Sequence, residues 1–225
     1  MTAIVVLPIP AEQAHPFLLH RHYAKRLCPI SFAFGAYRGT DLIGVVTYGT
    51  PASAPLRTGI AGPEWAPNVL ELNRLCCETT RNVASQLVGA SLRMLPKPAL
   101  VVSFADIGQG HVGYIYQACN FTYTGLSALR TDWKVRGLEH LHGATIADKS
   151  RGKVNRGQWM RNTYGDDFYL SPRDRKHRYV YFVGTRKQAS AMRSALRYPT
   201  APYPKGDSAR YDADATIHTQ SRLDL

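Results

Sequence analysis

Val102-Ser-Phe-Ala-Asp-Ile-Gly-Gln-Gly-His-Val-Gly-Tyr-Ile-Tyr-Gln-Ala-Cys-Asn-Phe-Thr-Tyr-Thr-Gly125 decides the fold. It runs from an apolar strand into a Gly-Gln-Gly-His turn, then a short helix, then a second strand. Ser103, Asp106, Gln109 and His111 gather where the first strand ends. Strand ends are where α/β sheets bind their ligands. Tyr116 follows on the helix. An acid, an imidazole and a phenol at one strand–helix junction have the makings of a site.

Working outward, Thr2 to Ile9 reads as a strand rich in β-branched residues, and Ala11 to Arg21 as a helix. Ser31 to Tyr37 and Leu42 to Tyr48 form a hairpin around Arg38-Gly39-Thr40-Asp41. The segment from Thr50 to Asn68, with Pro51, Pro55, Pro63 and Pro67, reads as a long wandering loop. Val69 to Cys77 is a strand. Asn82 to Leu95 is a helix with Val83, Leu87, Ala90 and Met94 on one face, ended by Pro96 and Pro98. Leu100 to Phe104, Gly113 to Cys119 and Phe121 to Leu126 continue as strand, helix and strand. Beyond Arg130 the pattern weakens into a basic, glycine-bearing stretch over 130–177. A late strand near 178–183 then rejoins the sheet, and Lys187 to Leu196 is a short helix. The expected plan is one domain over 1–197, with 130–177 as a basic insertion or extension and 198–225 as a flexible tail.

At 225 residues and 44% hydrophobic, the chain can bury one good core. No segment reaches the roughly 18 unbroken apolar residues of a membrane helix, so no membrane partner is expected. Met1 to Pro10 lacks the basic start and cleavage site of a signal peptide. Cys28, Cys76, Cys77 and Cys119 show no Cys-x-x-Cys spacing, and reduced thiols in a cytoplasmic protein are the expectation. The formal charge is +12, and residues 130–187 hold 14 Lys+Arg against 6 Asp+Glu. Cations this concentrated point to a polyanionic partner, because each neutralised phosphate releases counterions. Arg151, Lys153, Arg156 and Arg161, with Trp159 among them, are the expected backbone-contacting patch.

Ser-Phe-Ala-Asp, Gly-His-Val-Gly and Ile-Tyr-Gln-Ala-Cys-Asn-Phe resemble the core of the Mom family of phage DNA-modification proteins. His22-Tyr23, followed by Lys25-Arg26, resembles that family's N-terminal motif, and Glu71-Leu-Asn-Arg-Leu its central strand. The resemblance covers roughly residues 15 to 127. It implies an α/β fold of GNAT-like (acyl-CoA N-acyltransferase-like) type, a mixed central sheet flanked by helices, here with a basic C-terminal extension. It also implies conversion of adenine N6 in double-stranded DNA to N6-carbamoylmethyladenine, shielding phage DNA from host restriction in the host cytoplasm. His22, Tyr23, Asp106 and Tyr116 correspond to positions on which that family relies. The family's link with iron makes the same four residues possible iron(II) ligands, although no His-x-Asp or His-x-x-x-His spacing backs a metal.

Chemistry supplies reasons for these residue types. Adenine N6 is conjugated into its ring, so attaching carbon to it needs a base for its proton and a stabiliser for charge on the donor carbonyl. Asp106 at a strand end suits the base, His22 can share that role, and Tyr23 and Tyr116 can donate hydrogen bonds. Each also has an ordinary reading: a surface histidine, a core tyrosine, an Asx turn at Asp106. Ser103 can simply satisfy a neighbour. An acyl-CoA-type donor would sit where a strand feeds a helix, as helix N-termini hold anions. Arg81, Asn82 and Ser85 occupy that place, but the glycines of the GNAT pyrophosphate motif are missing, and Thr79 or Thr80 offers only a cap. An aminoacyl-tRNA donor, such as glycyl-tRNA, fits the basic surface as well. Tyr37, Tyr48, Trp65 and Tyr123 are the aromatics on which an extruded base could stack. Two other classes compete: a GNAT-type N-acyltransferase on another amine, and a non-catalytic nucleic-acid-binding protein on the same scaffold.

Overall fold

A computed structural model describes residues 3–22, 26–141 and 143–206. The chain divides into two compact units, Met1–Gly125 with His177–Leu225, and Leu126–Lys176.

The first unit is built on a seven-stranded sheet. Edge strand β1 (Ile4–Pro8) leads into α1 (Ala11–Pro16), which continues as a π turn over Phe17–Arg21. The hairpin β2 (Phe32–Arg38) and β3 (Asp41–Gly49) forms where expected. The Thr50–Asn68 segment is more ordered than its prolines suggest. It holds α2 (Ala54–Ala61), because Ser53 caps the Leu56 N–H and Pro55 falls in the first turn, where no amide hydrogen is needed. Then follow β4 (Val69–Cys77), α3 (Val83–Met94), β5 (Ala99–Asp106), α4 (Tyr114–Ala118) and β6 (Thr122–Leu126). The face of α3 that packs is Val83, Leu87, Val88, Ser91 and Leu92. Met94, expected inside, is 40% exposed, because the core lies along an i, i+4, i+5 stripe that turns away from it.

Numbering the strands of the second unit β7 (Arg130–Val135) and β8 (Phe168–Arg173), the chain returns to the sheet as β9 (Lys176–Val183) and ends its regular structure with α7 (Arg186–Ser194). The strand order is β1-β2-β3-β4-β5-β9-β6. The β1 to β4 pairings are antiparallel, and β4 pairs with β5 in parallel across α3. This is the mixed α/β sheet flanked by helices that the sequence implies.

Alternation along the strands sorts side chains onto two faces. Phe34, Val46, Tyr48, Leu72, Val101 and Tyr179 join the core under α3 and α4. The opposite face carries Ala33, Val45 and Cys76 beneath α1, and Val69, Leu100, Val180 and Phe182 beneath α2 and α7. Residues 198–206, expected to be loose, run against the sheet. The Ala201 N–H donates to the Tyr123 carbonyl at 3.1 Å, and the Tyr203 hydroxyl to the Phe121 carbonyl at 2.7 Å. The expected tail beyond 206 lies outside the described residues.

The basic stretch after Arg130, unpatterned in sequence, forms the second unit. Strands β7 and β8 pair antiparallel from Arg130↔Arg173 to Val135↔Phe168. With α5 (Gly143–Asp148) and α6 (Arg156–Tyr164) they enclose a small core of Val135, Ile146 and Met160, ringed by Trp133, Trp159 and Phe168. Among the described residues no helix is long and apolar enough to cross a membrane.

Candidate functional site

The sheet opens between the parallel neighbours β4 and β5. Strands β4 and β5 pair only at Val69↔Leu100, Leu70↔Val101 and Glu71↔Val102. At the next residue the ladder is replaced by a side chain: the fully buried Ser103 hydroxyl donates to the Leu72 carbonyl at 3.0 Å. Ser103 therefore serves the backbone. The opening is reinforced on the other side of β4, where Leu72 pairs with Tyr48 and Arg74 with Thr47, leaving Asn73 as a bulge. A bulge bends its strand and re-aims the neighbouring side chains. Asn73 holds it in place, accepting from the Thr47 hydroxyl at 2.6 Å and donating to the Pro29 carbonyl at 2.8 Å.

On the α1 side of the sheet, this bulge gathers polar groups in the middle of an otherwise apolar face. Thr47 is buried, and the Arg74 guanidinium donates to the Asn73 carbonyl at 2.7 Å while its Nε is buried without a hydrogen-bond partner. Burial pushes the Cys28 thiol above its ordinary value, and Arg74, the Thr47 hydroxyl bond and Glu71 modulate it in turn. His22 is buried, at 5% exposure, where the π turn after α1 ends, and its N–H donates to the Phe17 carbonyl. In the sequence Glu71, Asn73 and Arg74 stand out only as the polar members of the strand motif Glu71-Leu-Asn-Arg-Leu, with no chemistry expected of them. The available signal was three polar residues inside a strand whose neighbours are buried.

Asp106 closes β5, on the same face of that strand as Phe104. Its carboxylate accepts the Gly108 N–H at 3.1 Å, and its carbonyl accepts the His111 N–H at 3.0 Å. The Asx turn is real, and it fixes the carboxyl group at the strand end. Burial lowers the His111 pKa, with the Asp106 charge opposing that shift. The turn closes through Gly113, at φ 85°, where a Cβ would lie 2.4 Å from the Tyr179 ring. Tyr179 and Gln117 fasten this corner: both donate to the Val112 carbonyl, and Gln117 also donates to the Tyr179 hydroxyl.

Tyr116 belongs to an aromatic cluster on the α3 side, its ring centroid 5.4 Å from Phe121 and 5.3 Å from Tyr179. The nearby Tyr48 hydroxyl is 2.6 Å from Ser91 Oγ and is shifted upward chiefly by burial. Tyr48 and Tyr123 are core residues, and Tyr123 is hydrogen-bonded to His177 at 2.8 Å. Tyr37 and Trp65 remain partly exposed. Tyr23 lies outside the described residues.

At the start of α3, Asn82 takes the left-handed conformation, φ 65°, as the N-cap residue and makes no side-chain cap. Neither threonine caps the helix; Thr80 accepts from Arg38 instead. Arg81 and Asn82 are exposed, and the Ser85 hydroxyl donates to the Asn82 carbonyl at 3.2 Å. Asparagine thus reaches the turn geometry that the missing glycines would have allowed.

The four cations of the basic patch differ in their engagements. Arg151 pairs with Asp148 at 2.8 Å on the surface. Arg156 donates to the Ser150 hydroxyl at 3.0 Å and to the Ala147 carbonyl, and sits over the Trp133 ring. Lys153 lies over the Trp159 ring at 5.7 Å, and Arg161 is exposed on α6. Among the described residues no three His, Cys, Asp or Glu side chains are grouped to hold a metal ion.

A mixed seven-stranded sheet, flanked by helices and opening between β4 and β5, defines an α/β protein. The chain belongs to the Mom protein family, which it matches over residues 3–205. It is 27% identical over 199 residues to methylcarbamoylase mom of Escherichia phage Mu, covering 85% of this chain and 80% of that protein. Among solved structures it is similar to Arabidopsis thaliana NAA60 with a bisubstrate analogue (TM-score 0.46, 14% identity, 80% of this chain and 98% of that one). A Bacillus subtilis acetyltransferase in complex with CoA gives a TM-score of 0.41 at 11% identity, over 80% of this chain and 99% of that one.

Proposed function

We propose that this chain is a DNA-modifying transferase that converts adenine N6 to N6-carbamoylmethyladenine and thereby protects phage DNA from restriction. The observation that carries the reading is the family match along residues 3–205, with its relative named a methylcarbamoylase. The geometry supplies a chemical rationale. Asp106 is held at the open strand end by the Gly108 N–H, which places its carboxylate where it can accept the N6 proton. His22 assists, and Tyr23 and Tyr116 donate to the oxygen on which charge develops. The donor enters between β4 and β5, with Arg81, Asn82 and Ser85 at the start of α3 receiving its anionic part. It arrives as an acyl-CoA-type (glycyl) thioester or as glycyl-tRNA. Attack of N6 on its carbonyl expels the thiol or the tRNA hydroxyl and leaves a glycyl amide, whose rearrangement to the isomeric carbamoylmethyl group completes the product. A tRNA-free, CoA-supplied reaction with full activity would select the first.

The test is nucleoside mass spectrometry of plasmid DNA from cells expressing the chain. The expected product is an adenosine heavier by about 57 mass units, one glycinamide-type addition. It disappears with Asp106→Ala. Unmodified DNA from well-expressed folded protein would transfer the reading to a non-catalytic nucleic-acid-binding protein.

A further inference from the structure

The turn joining α5 to α6 presents an apolar side chain where the charge pattern asks for none. Val154 is 95% exposed. Lys149, Arg151, Lys153 and Arg156 surround it in sequence, and Arg161 follows on α6.

The turn is braced. Ser150 is fully buried; its hydroxyl donates to the Ala147 carbonyl at 2.8 Å and accepts from Arg156 Nε at 3.0 Å. The Lys153 N–H donates to the Ser150 carbonyl at 3.1 Å. Gly152 at φ 78° and Asn155 at φ 47° reverse the chain on either side of Lys153 and Val154. Asn155 also caps α6 by accepting the Gln158 N–H at 3.3 Å. A single exposed aliphatic residue is ordinary on a protein surface. Leu129, 79% exposed before β7, is such a residue. Val154 differs in standing on a fixed turn among cations, and its β-branch is stiff at χ1.

We propose that residues 150–156 form a DNA wedge, in which Lys153, Arg161 and their neighbours hold phosphates while Val154 enters the base stack. Apolar side chains inserted between base steps unstack them. Chemistry on a base in duplex DNA requires that base to leave the stack, so the wedge supplies a step that the proposed adenine modification needs. The inference rests on duplex DNA being the partner and adds how the duplex is opened.

The test uses the full chain and duplexes in which 2-aminopurine replaces each adenine in turn. Wild-type protein raises 2-aminopurine emission on binding. Val154→Ser keeps its duplex affinity within about threefold, since the phosphate contacts that dominate affinity remain. It loses at least about tenfold of the emission rise, because nothing apolar enters the stack. Leu129→Ser behaves as wild type. A Val154→Ser protein that still opens the duplex overturns the wedge, as does a wild-type protein that binds duplex and leaves every 2-aminopurine stacked. A wild-type chain that binds only single strands also overturns it. One that binds no DNA removes the functional reading itself.

Discussion

The two units are held together in different ways. In the first, buried polar side chains reach partners far away in sequence, as in Ser103 with Leu72, Tyr48 with Ser91, and Thr47 with Asn73. In the second, the buried core is Val135, Ile146 and Met160, Arg173 pairs with Asp132 between β8 and β7, and the ties within the α5–α6 turn span only a few residues, with Arg156 reaching Ser150 and Ala147. One is a scaffold that fixes a strand end to hydrogen-bond precision. The other is a small frame for presenting charge. The contrast teaches that a cation in the second unit can be structural or available, and that proximity in sequence does not tell which.

The sharpest way to break this division is at Asp106. Asp106→Asn keeps an oxygen for the Gly108 N–H but removes the base, so DNA modification should fall at least about 100-fold while the melting temperature holds. Equal loss of stability would make the residue structural. Next, Met160→Ala should cost about 2–5 kcal/mol, opening residues 126–176 to hydrogen exchange while the sheet amides stay protected. Exchange rising in both units together would show that they unfold as one. Ser103→Ala should cost about 1–3 kcal/mol, because the Leu72 carbonyl is left buried and unmet; a denaturant titration reads this directly. Arg161→Gln should lower the salt slope of DNA binding by about one and leave stability alone, whereas Arg156→Gln should lower stability as well.

The smallest effect is acid sensitivity. Burial depresses the folded-state pKa of His111 below the ordinary value of 6.5. Below that value the unfolded chain takes up a proton that the folded chain resists, so stability is lost as pH falls. Thermal melts between about pH 7.5 and 5 should show a shallower acid decline for His111→Gln. An unchanged decline would place the sensitivity elsewhere, with His177, lowered for the same reason, as the next histidine to test.

Most of the sheet could be read from residue order, because strands such as Leu100–Phe104 and the hairpin at Gly39 have period-two or continuous apolar patterns bounded by turn residues. The second unit could not, because a core built on Val135, Ile146 and Met160 leaves no run long enough to show a period. Helix α2 is hidden by the prolines around it, and the first-turn placement of Pro55 is revealed only by the Ser53 cap. At the site, Asp106 could be picked out by its strand-end position. Asn73 and Arg74 matter through a bulge, and a bulge is a feature of pairing between strands that one strand's sequence does not display.

Strand β9 lies between β5 and β6, although residues 127–175 separate it from β6 in the chain. The Ser127 N–H donates to the Lys176 carbonyl at 2.8 Å, so the segment leaves and returns at one point. Topologically, residues 126–176 are the elaborated turn of a hairpin. A short reverse turn in their place would still let the sheet close, as insertions and deletions at such points are tolerated when few buried groups are disturbed. Under the proposed function, replacing this charged module would change the contacts offered to DNA while leaving Asp106 and its strand end untouched, so the two can be altered one at a time.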